Sequence, residues 1–545
     1  MRINKAQIKN LWTKDWFRII VLILIAALLR VYNLSKESFR LDESGYVIAV
    51  FWNGLPQIIQ ESHTWGHPPF YFIIYNIWGK IFGISELALI SLSLIAGIIS
   101  IVLIYLIVKK LFKNKDIAFV SALLTCFSLF HFHFSRDATE YSFFPMMIFL
   151  STLAFISFVQ SKPEKKRLNA IFYVITTALM FYTHYYAFMV IIVQNLAFFI
   201  FYKKHRKLLK TWITMGIILL VLITPELGHA YTNARIYGQG LNEAPRADVY
   251  LNTLGGQIKE IYAHDTGNLR GVVSYYFIKE PSYWYLANTL FIIISFFILM
   301  GIILPIFKGK GRKDKNKDRV LGMVLLILLF FVPIVLTSFF PIVYRVKGFV
   351  FSVLVYNTLI TLGIWHLFQK KEMRPARIIA VVLILILSIM TINHSLQTTY
   401  FFSEAHDDWR SAAEFLKQPA QKTDLIVVHV IFTYGALLYY YNLDVFKEFA
   451  EKHYVPFHMG ESNLISIEHQ PIKNISAGHV AIPTLEGLKR FNESLQLIDD
   501  FWLASSGNED GVYPNREVFN LIKQNFENVS EQYFGSVYVT RYQRK

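Results

Sequence analysis

Pro68–Phe82 reads PPFYFIIYNIWGKIF, and the placement of this stretch decides the topology of the chain. It is apolar and rich in aromatic residues but shorter than the ~20 residues a helix needs to cross a bilayer. If it crossed, the basic loop Lys109–Lys115 would fall outside, and every later basic loop would sit on the wrong side. It therefore reads as an interfacial helix lying on the outer face.

Outward from it the spans fall into register. Span one is Ile19–Leu34, and an uncleaved first transmembrane helix fits it better than a signal peptide, because no small-residue cleavage site follows. Spans two to seven are Leu87–Val108, Ile117–Phe134, Phe143–Val159, Asn169–Tyr182, Tyr185–Tyr202 and Trp212–Glu226. Spans eight to eleven are Tyr285–Phe307, Val320–Phe340, Phe349–Phe368 and Ile378–Asn393. All five basic bursts (Lys109–Lys115, Lys162–Arg167, Lys203–Lys210, Lys308–Lys317 and Lys370–Arg377) then become cytoplasmic. The outside receives loops 34–86, 135–141 and 227–282, the turn Pro341–Lys347, and everything after about residue 400.

The composition agrees with a polytopic membrane protein: 54% of residues are hydrophobic, 16% aromatic, and the mean hydropathy is +0.39. A net charge of +16 in a soluble protein would suggest nucleic acid. Here the charge comes in short bursts between spans, so anionic lipid headgroups are the expected partner and nucleic acid is not. The single cysteine, Cys126, lies in a span and excludes an intramolecular disulfide. Beyond Phe402 the pattern changes. Asp424–Val428 and Val537–Val539 read as strands, Trp409–Leu416 and Val518–Phe526 as helices. The expected architecture is an α-helical polytopic membrane unit over 1–400, with about eleven spans. A small extracytoplasmic α/β domain over 401–545 would follow it. No glycine-rich phosphate loop follows the first strand, and no internal repeat is evident.

Ionisable residues gather at the outer ends of the spans. Asp42 and Glu43 open the first outer loop; as chemistry, one carboxylate would be a base for a hydroxyl or a metal ligand, and as structure they would be a solvated pair. Arg30 near the end of span one could simply snorkel. His67-Pro68-Pro69 suits the start of a helix. His63 and His67 have a metal-like spacing, but Trp65-Gly66 and the proline pair argue against one continuous helix, so no metal site is expected. Asp137 and Tyr141 bracket the loop between spans three and four, one turn apart if the segment is helical. His184 and Tyr185 lie between spans five and six, where tyrosine is an ordinary belt residue. Arg345 and Lys347 run against the inside bias for positive charge, which an outer-face phosphate would explain.

These residues resemble the GT-C superfamily of glycosyltransferases, of the protein O-mannosyltransferase and aminoarabinose transferase type. The resemblance spans Arg30 to Lys347. It rests on Arg30 with Asp42-Glu43, on His67-Pro68-Pro69, on Gly83-Ile-Ser85-Glu86, on Ser135-Arg-Asp137-Ala-Thr139-Glu-Tyr141 and on His184-Tyr185. Asp407-Asp408-Trp409-Arg410 is a looser match. Thr139 and Ile90 stand where the family has arginines, and Val346 where it has tyrosine, which implies altered phosphate contacts or a different substrate. The resemblance implies a GT-C-type fold in a bacterial plasma membrane. It implies transfer of a sugar from a polyprenyl-phosphate donor to a glycan, lipid or protein hydroxyl on the extracytoplasmic face. No cofactor is implied. Asp42, Glu43 and Asp137 would be catalytic. Arg30, His67, Tyr141, His184, Tyr185, Arg345 and Lys347 would bind substrate. The rival is a transporter or lipid flippase, which would place ionisable groups near mid-membrane and show paired inverted repeats.

Overall fold

The computed structural model describes residues 10–34, 38–201, 206–240, 296–304, 317–339, 346–397 and 408–418, most of 425–452, and shorter stretches from there to Lys545. Arg345, Asp407 and most of the expected span eight lie outside the described residues.

Helix α1 (Asp15–Val31) is followed by three helices of the expected first outer loop: α2 (Leu41–Ile48), α3 (Gly54–Thr64) and α4 (Phe70–Phe82). The bundle continues with α5 (Glu86–Phe112), α6 (Lys115–Cys126), α7 (Leu129–Phe134), α8 (Glu140–Val159), α9 (Lys166–Phe181), α10 (Ala187–Ile200) and α11 (Leu209–Gly240). Residues 296–304 are helical, and α12 (Lys317–Phe339), α13 (Val353–Leu367) and α14 (Arg374–Gln397) follow. Among the described residues, five helices are long and apolar enough to cross a membrane: Glu86–Phe112, Glu140–Val159, Arg206–Thr232, Arg319–Thr337 and Lys347–Leu367.

Several expected spans differ in detail. Ile117–Phe134 is not one helix: it ends at Cys126 and restarts after Ser128, whose Oγ accepts from His131 N. The break frees the Cys126 carbonyl, and Arg30 Nη1 meets it at 3.3 Å. A buried carbonyl without a helical partner needs such a donor. Span ten begins as a 3-10 helix, Val346–Ser352, before α13. The expected outer loop from 227 is helical as far as Gly240, since α11 runs on beyond Glu226.

Helix α4, the expected interfacial helix, is pinned to the segment that precedes it. Asn76 Nδ2 lies 2.7 Å from Ala49 O and 3.0 Å from Trp52 O. At Gly79 a Cβ would come within 2.5 Å of Val50, so only glycine permits this approach. Likewise a Cβ on Gly97 of α5 would stand 2.5 Å from Ser135 Cβ. Ser93 Oγ on the same helix donates to Thr139 O, and Ser142 Oγ returns a bond to Ser93 O. This seam of small residues seats the 135–142 segment against the bundle.

Beyond α14, helix α15 (Trp409–Leu416) leads to strand β1 (Leu425–His429), then α16 (Ile431–Tyr441), α17 (Leu443–Lys452) and β2 (Leu464–Ser466). A short antiparallel pair, β3 (His469–Pro471) with β4 (Ala481–Pro483), precedes β5 (Asp500–Ser506), α18 (Arg516–Asn525), β6 (Phe526–Phe534) and β7 (Val537–Arg544). The main sheet has the order β2-β1-β5-β7-β6; β1 runs parallel to its neighbours, and β7 antiparallel to both of its own. The buried run Ile426, Val427 and Val428 is what a central parallel strand requires.

Candidate functional site

One end of the bundle carries ordinary surface electrostatics. Lys109 Nζ and Lys115 Nζ both reach Asp15, at 2.7 and 3.4 Å, and Arg18 pairs with the exposed Asp116.

The opposite end is different. Helix α2 begins on a one-way cap: Arg40 N donates to Glu43 Oε2 at 2.9 Å. The cap turns the Glu43 side chain inward, where its Oε1 accepts from Ala138 N at 2.7 Å. Asp137, next to Ala138, thereby lies beside Glu43, close enough for the two carboxyl groups to interact. Both carboxyl groups are buried. Arg40 Nη2 pairs with Asp137 Oδ1 at 2.5 Å, and Arg40 Nη1 lies 3.2 Å from His133 Nε2. Burial and the adjacent Asp137 carboxylate hold Glu43 well above the usual carboxylate range. Burial works against Asp137 too, but the Arg40 guanidinium and His133 pull it below its usual value. The two shifts run in opposite directions, so the carboxyl groups titrate as a pair rather than singly.

A third buried carboxyl group, Glu140, accepts the Tyr46 hydroxyl proton at Oε2 and faces His67 Nδ1 at 3.4 Å. Tyr46 sits in an aromatic cluster with Trp65, His67, Tyr71, Phe72 and Tyr75. His184 stacks on Phe144 and lies 6.3 Å, ring to ring, from His67; its Nδ1 accepts from Tyr186 N. Tyr141 lies under Lys347, with the ammonium 4.8 Å from the ring centroid.

Asp42 occupies the solvent side of α2. Its side chain is 53% exposed, and its Oδ2 accepts from Lys347 Nζ at 2.9 Å. The two residues are 305 positions apart in sequence. The structure thus gathers Asp42, Glu43, His67, Asp137, Tyr141, His184 and Lys347 at one end of the bundle.

Two nominated residues sit elsewhere. Arg30 is fully buried within the bundle: Nε donates to Ser135 Oγ, Nη2 meets His131 Nδ1 at 2.8 Å, and Nη1 reaches the Ala26 and Cys126 carbonyls. It therefore does not snorkel, and its guanidinium braces the α6–α7 break. Tyr185 donates to Glu226 Oε1 at 2.8 Å, beside His63, which approaches the same oxygen at 2.9 Å. His63 and His67 part company as the spacing argument expects. Helix α3 ends at Thr64, Gly66 takes a φ of +82°, and the two imidazoles face different carboxylates. Asp137 and Tyr141 do not share a helical turn, because α8 starts only at Glu140.

Sequence reasoning passed over Arg40, His133, Glu140 and Glu226. Arg40 and Glu140 were visible as ionisable neighbours of nominated motifs. His133 and Glu226 carried no local signal, since the fold alone brings them in.

A family model described as dolichyl-phosphate-mannose-protein mannosyltransferase matches residues 66–229. That range holds His67, Asp137, Glu140, Tyr141 and His184. Among solved structures, ArnT from Cupriavidus metallidurans bound to undecaprenyl phosphate has a TM-score of 0.52 at 10% identity, covering 96% of this chain and 97% of that one. The archaeal oligosaccharyltransferase AglB from Archaeoglobus fulgidus, in complex with an inhibitory peptide and a dolichol-phosphate, gives 0.52 at 14% identity, covering 95% and 73%. The apo form of the Archaeoglobus fulgidus oligosaccharyltransferase gives 0.48 at 13% identity; 79% of this chain is covered, and it spans 64% of that protein's length. No curated protein matches the sequence. At these identities the likeness is one of fold. The chain thus shares the fold of ArnT and AglB, and its residues 66–229 are similar to the mannosyltransferase family model.

Proposed function

We propose that the chain transfers a hexosyl or pentosyl group from a polyprenyl-phosphate donor to an acceptor hydroxyl on the extracytoplasmic face of the membrane. The observation that carries this reading is the exposed Asp42–Lys347 pair set on the buried Arg40–Glu43–Asp137 cluster. It joins a solvent-facing carboxylate to a cation at one end of an apolar bundle. Proteins of this fold have been solved with undecaprenyl phosphate and with dolichol-phosphate, which supports a lipid-linked donor. Nucleotide sugars do not reach the outer face, so an activated sugar must arrive there on a lipid.

In the proposed inverting step Asp42 takes the proton of the acceptor hydroxyl. The acceptor oxygen bonds to the anomeric carbon as the bond from that carbon to the phosphate oxygen breaks, and the electron pair leaves on the polyprenyl phosphate. Lys347, joined by Arg345, stabilises the charge that develops there. Asp137, kept ionised by Arg40, orients acceptor or sugar, while His67, Tyr141 and His184 shape the site. Tyr185 contributes indirectly, through Glu226. Arg30 receives no phosphate role, because its donors are engaged within the bundle. The basic loops meet anionic lipid headgroups on the other face.

The test is transfer in reconstituted vesicles, with a panel of radiolabelled polyprenyl-phosphate sugars and crude envelope acceptors. Donor-dependent transfer that is lost in Asp42→Asn is expected. No transfer from any donor by folded protein would overturn the assignment in favour of transport.

A further inference from the structure

Two motifs absorbed by none of the roles above meet in space. Gly83-Ile84-Ser85-Glu86 forms the corner between α4 and α5. Gly83 takes a φ of +88° to end α4, Ser85 caps α5 by accepting from Ala88 N, and Glu86 lies in the first turn, where a carboxylate suits the helix dipole. Asp408-Trp409-Arg410 begins α15. Asp408 caps it by accepting from Ser411 N at 3.0 Å, Trp409 is fully buried, and Arg410 reaches outward to pair with Glu86 Oε2.

Tyr440, on α16, completes the junction. Its hydroxyl donates to Glu86 Oε1 and accepts from Phe39 N at 2.6 Å. The Arg410 guanidinium lies 5.8 Å from the Tyr440 ring centroid. Neighbouring Tyr439 donates to Ile84 O at 3.0 Å and packs edge-on against the buried Phe39 ring. Phe39 directly precedes Arg40, whose backbone N–H caps Glu43 and whose guanidinium holds Asp137. The path from Arg410 to the buried carboxyl pair runs from Arg410 to Glu86, from Glu86 to Tyr440, from Tyr440 to the Phe39 amide, and from the adjoining Arg40 to Glu43 and Asp137.

We infer that Arg410 and Tyr440 are positioning residues: through Glu86 and the Phe39 amide, the C-terminal segment fixes the backbone from which Arg40 orders the acidic centre. Neither residue touches the carboxyl pair itself. The assignment of turnover to that centre rests on the function proposed above. The geometry of the latch does not.

The experiment uses the full-length protein in vesicles with the donor panel, together with hydrogen–deuterium exchange of the peptide spanning Ser38–Ser44. The variants are Tyr440→Phe, which removes one oxygen, Arg410→Ala, and the conservative Arg410→Lys. Tyr440→Phe and Arg410→Ala are expected to exchange the Phe39 and Arg40 amides about tenfold faster, with the amides of α5 unchanged. Both are expected to lower kcat about tenfold while leaving KM for the donor within twofold, and Arg410→Lys to recover most of the loss. A purely structural contact would instead lower the amount of folded protein without a kcat effect per folded molecule. Unchanged exchange in Tyr440→Phe overturns the latch whether or not the wild type turns over. Faster exchange with full kcat overturns the positioning role. A wild type inert to every donor, with faster exchange in the variants, overturns the proposed function and leaves the latch standing.

Discussion

The two ends of the bundle solve charge in opposite ways. At the basic end Asp15 meets two lysines at the surface, and Arg18, itself buried, reaches out to an exposed aspartate. At the other end Glu43 and Asp137 are buried on the one guanidinium of Arg40, while the buried Glu140 meets only the Tyr46 hydroxyl and His67. Surface pairs like the first set cost little to lose, since water replaces each partner. Buried acids beside one another hinder each other's ionisation, which raises Glu43. The difference separates a topological anchor from a chemically poised site.

The largest effect should come from Asp42→Asn. Asp42 is exposed, so folding should persist while transfer falls about 10²–10⁴-fold, the usual worth of a general base. Vesicle assays alongside a thermal melt would separate the two; full turnover in the folded variant would remove Asp42 from the mechanism. Arg40→Ala should be the most destabilising change at the acidic end, by about 3–5 kcal/mol, because it leaves a buried carboxylate unpaired. Adding Asp137→Asn should recover part of that loss in a double-mutant cycle. Recovery of nothing would mean that Arg40 acts through packing.

The pH dependence sharpens the same contrast. Asp137 is depressed in the folded state, so its contribution is present above the ordinary carboxylate range and is lost as pH falls through its folded value. Glu43 is raised, so its contribution is present below the ordinary range and is lost as pH rises through its folded value. Transfer should follow a bell-shaped profile, its acid limb set by the base and its alkaline limb by the coupled Glu43–Asp137 pair. Glu43→Gln, which mimics the protonated form, should flatten the alkaline limb at a cost of about 1 kcal/mol. An unmoved alkaline limb would assign it to another group. The smallest effect belongs to the basic end: Asp15→Asn should change stability by about 1 kcal/mol or less and leave transfer intact.

Much of the acidic end was legible because its chemistry is local. Asp42-Glu43, His67-Pro68-Pro69 and Asp137 stand at the ends of apolar runs, and the charge signs of the loops put them together. Sequence could not say that Asp42 faces solvent while Glu43 turns inward, since that division depends on the cap at Arg40. Nor could it foresee the break after Cys126: apolar content favours one continuous helix there, and what stabilises the interruption is an arginine 96 residues away. In the C-terminal part, Trp409–Leu416 was readable from its pattern alone. Helix α18 stops at Asn525, one residue before its expected end, because Phe526 is taken into the sheet beside β7. Strand pairing is non-local, so nothing around Phe526 announces it.

Cys126 has a practical consequence. Its thiol is the sole one in the chain, and it is completely enclosed, with its sulfur 3.9 Å from Leu22 O. Maleimide and spin-label reagents should pass it by in the folded protein. Cysteines introduced one at a time at exposed positions can then be labelled without first removing the native one, which makes the chain a near label-free background for mapping which face of the membrane each loop occupies.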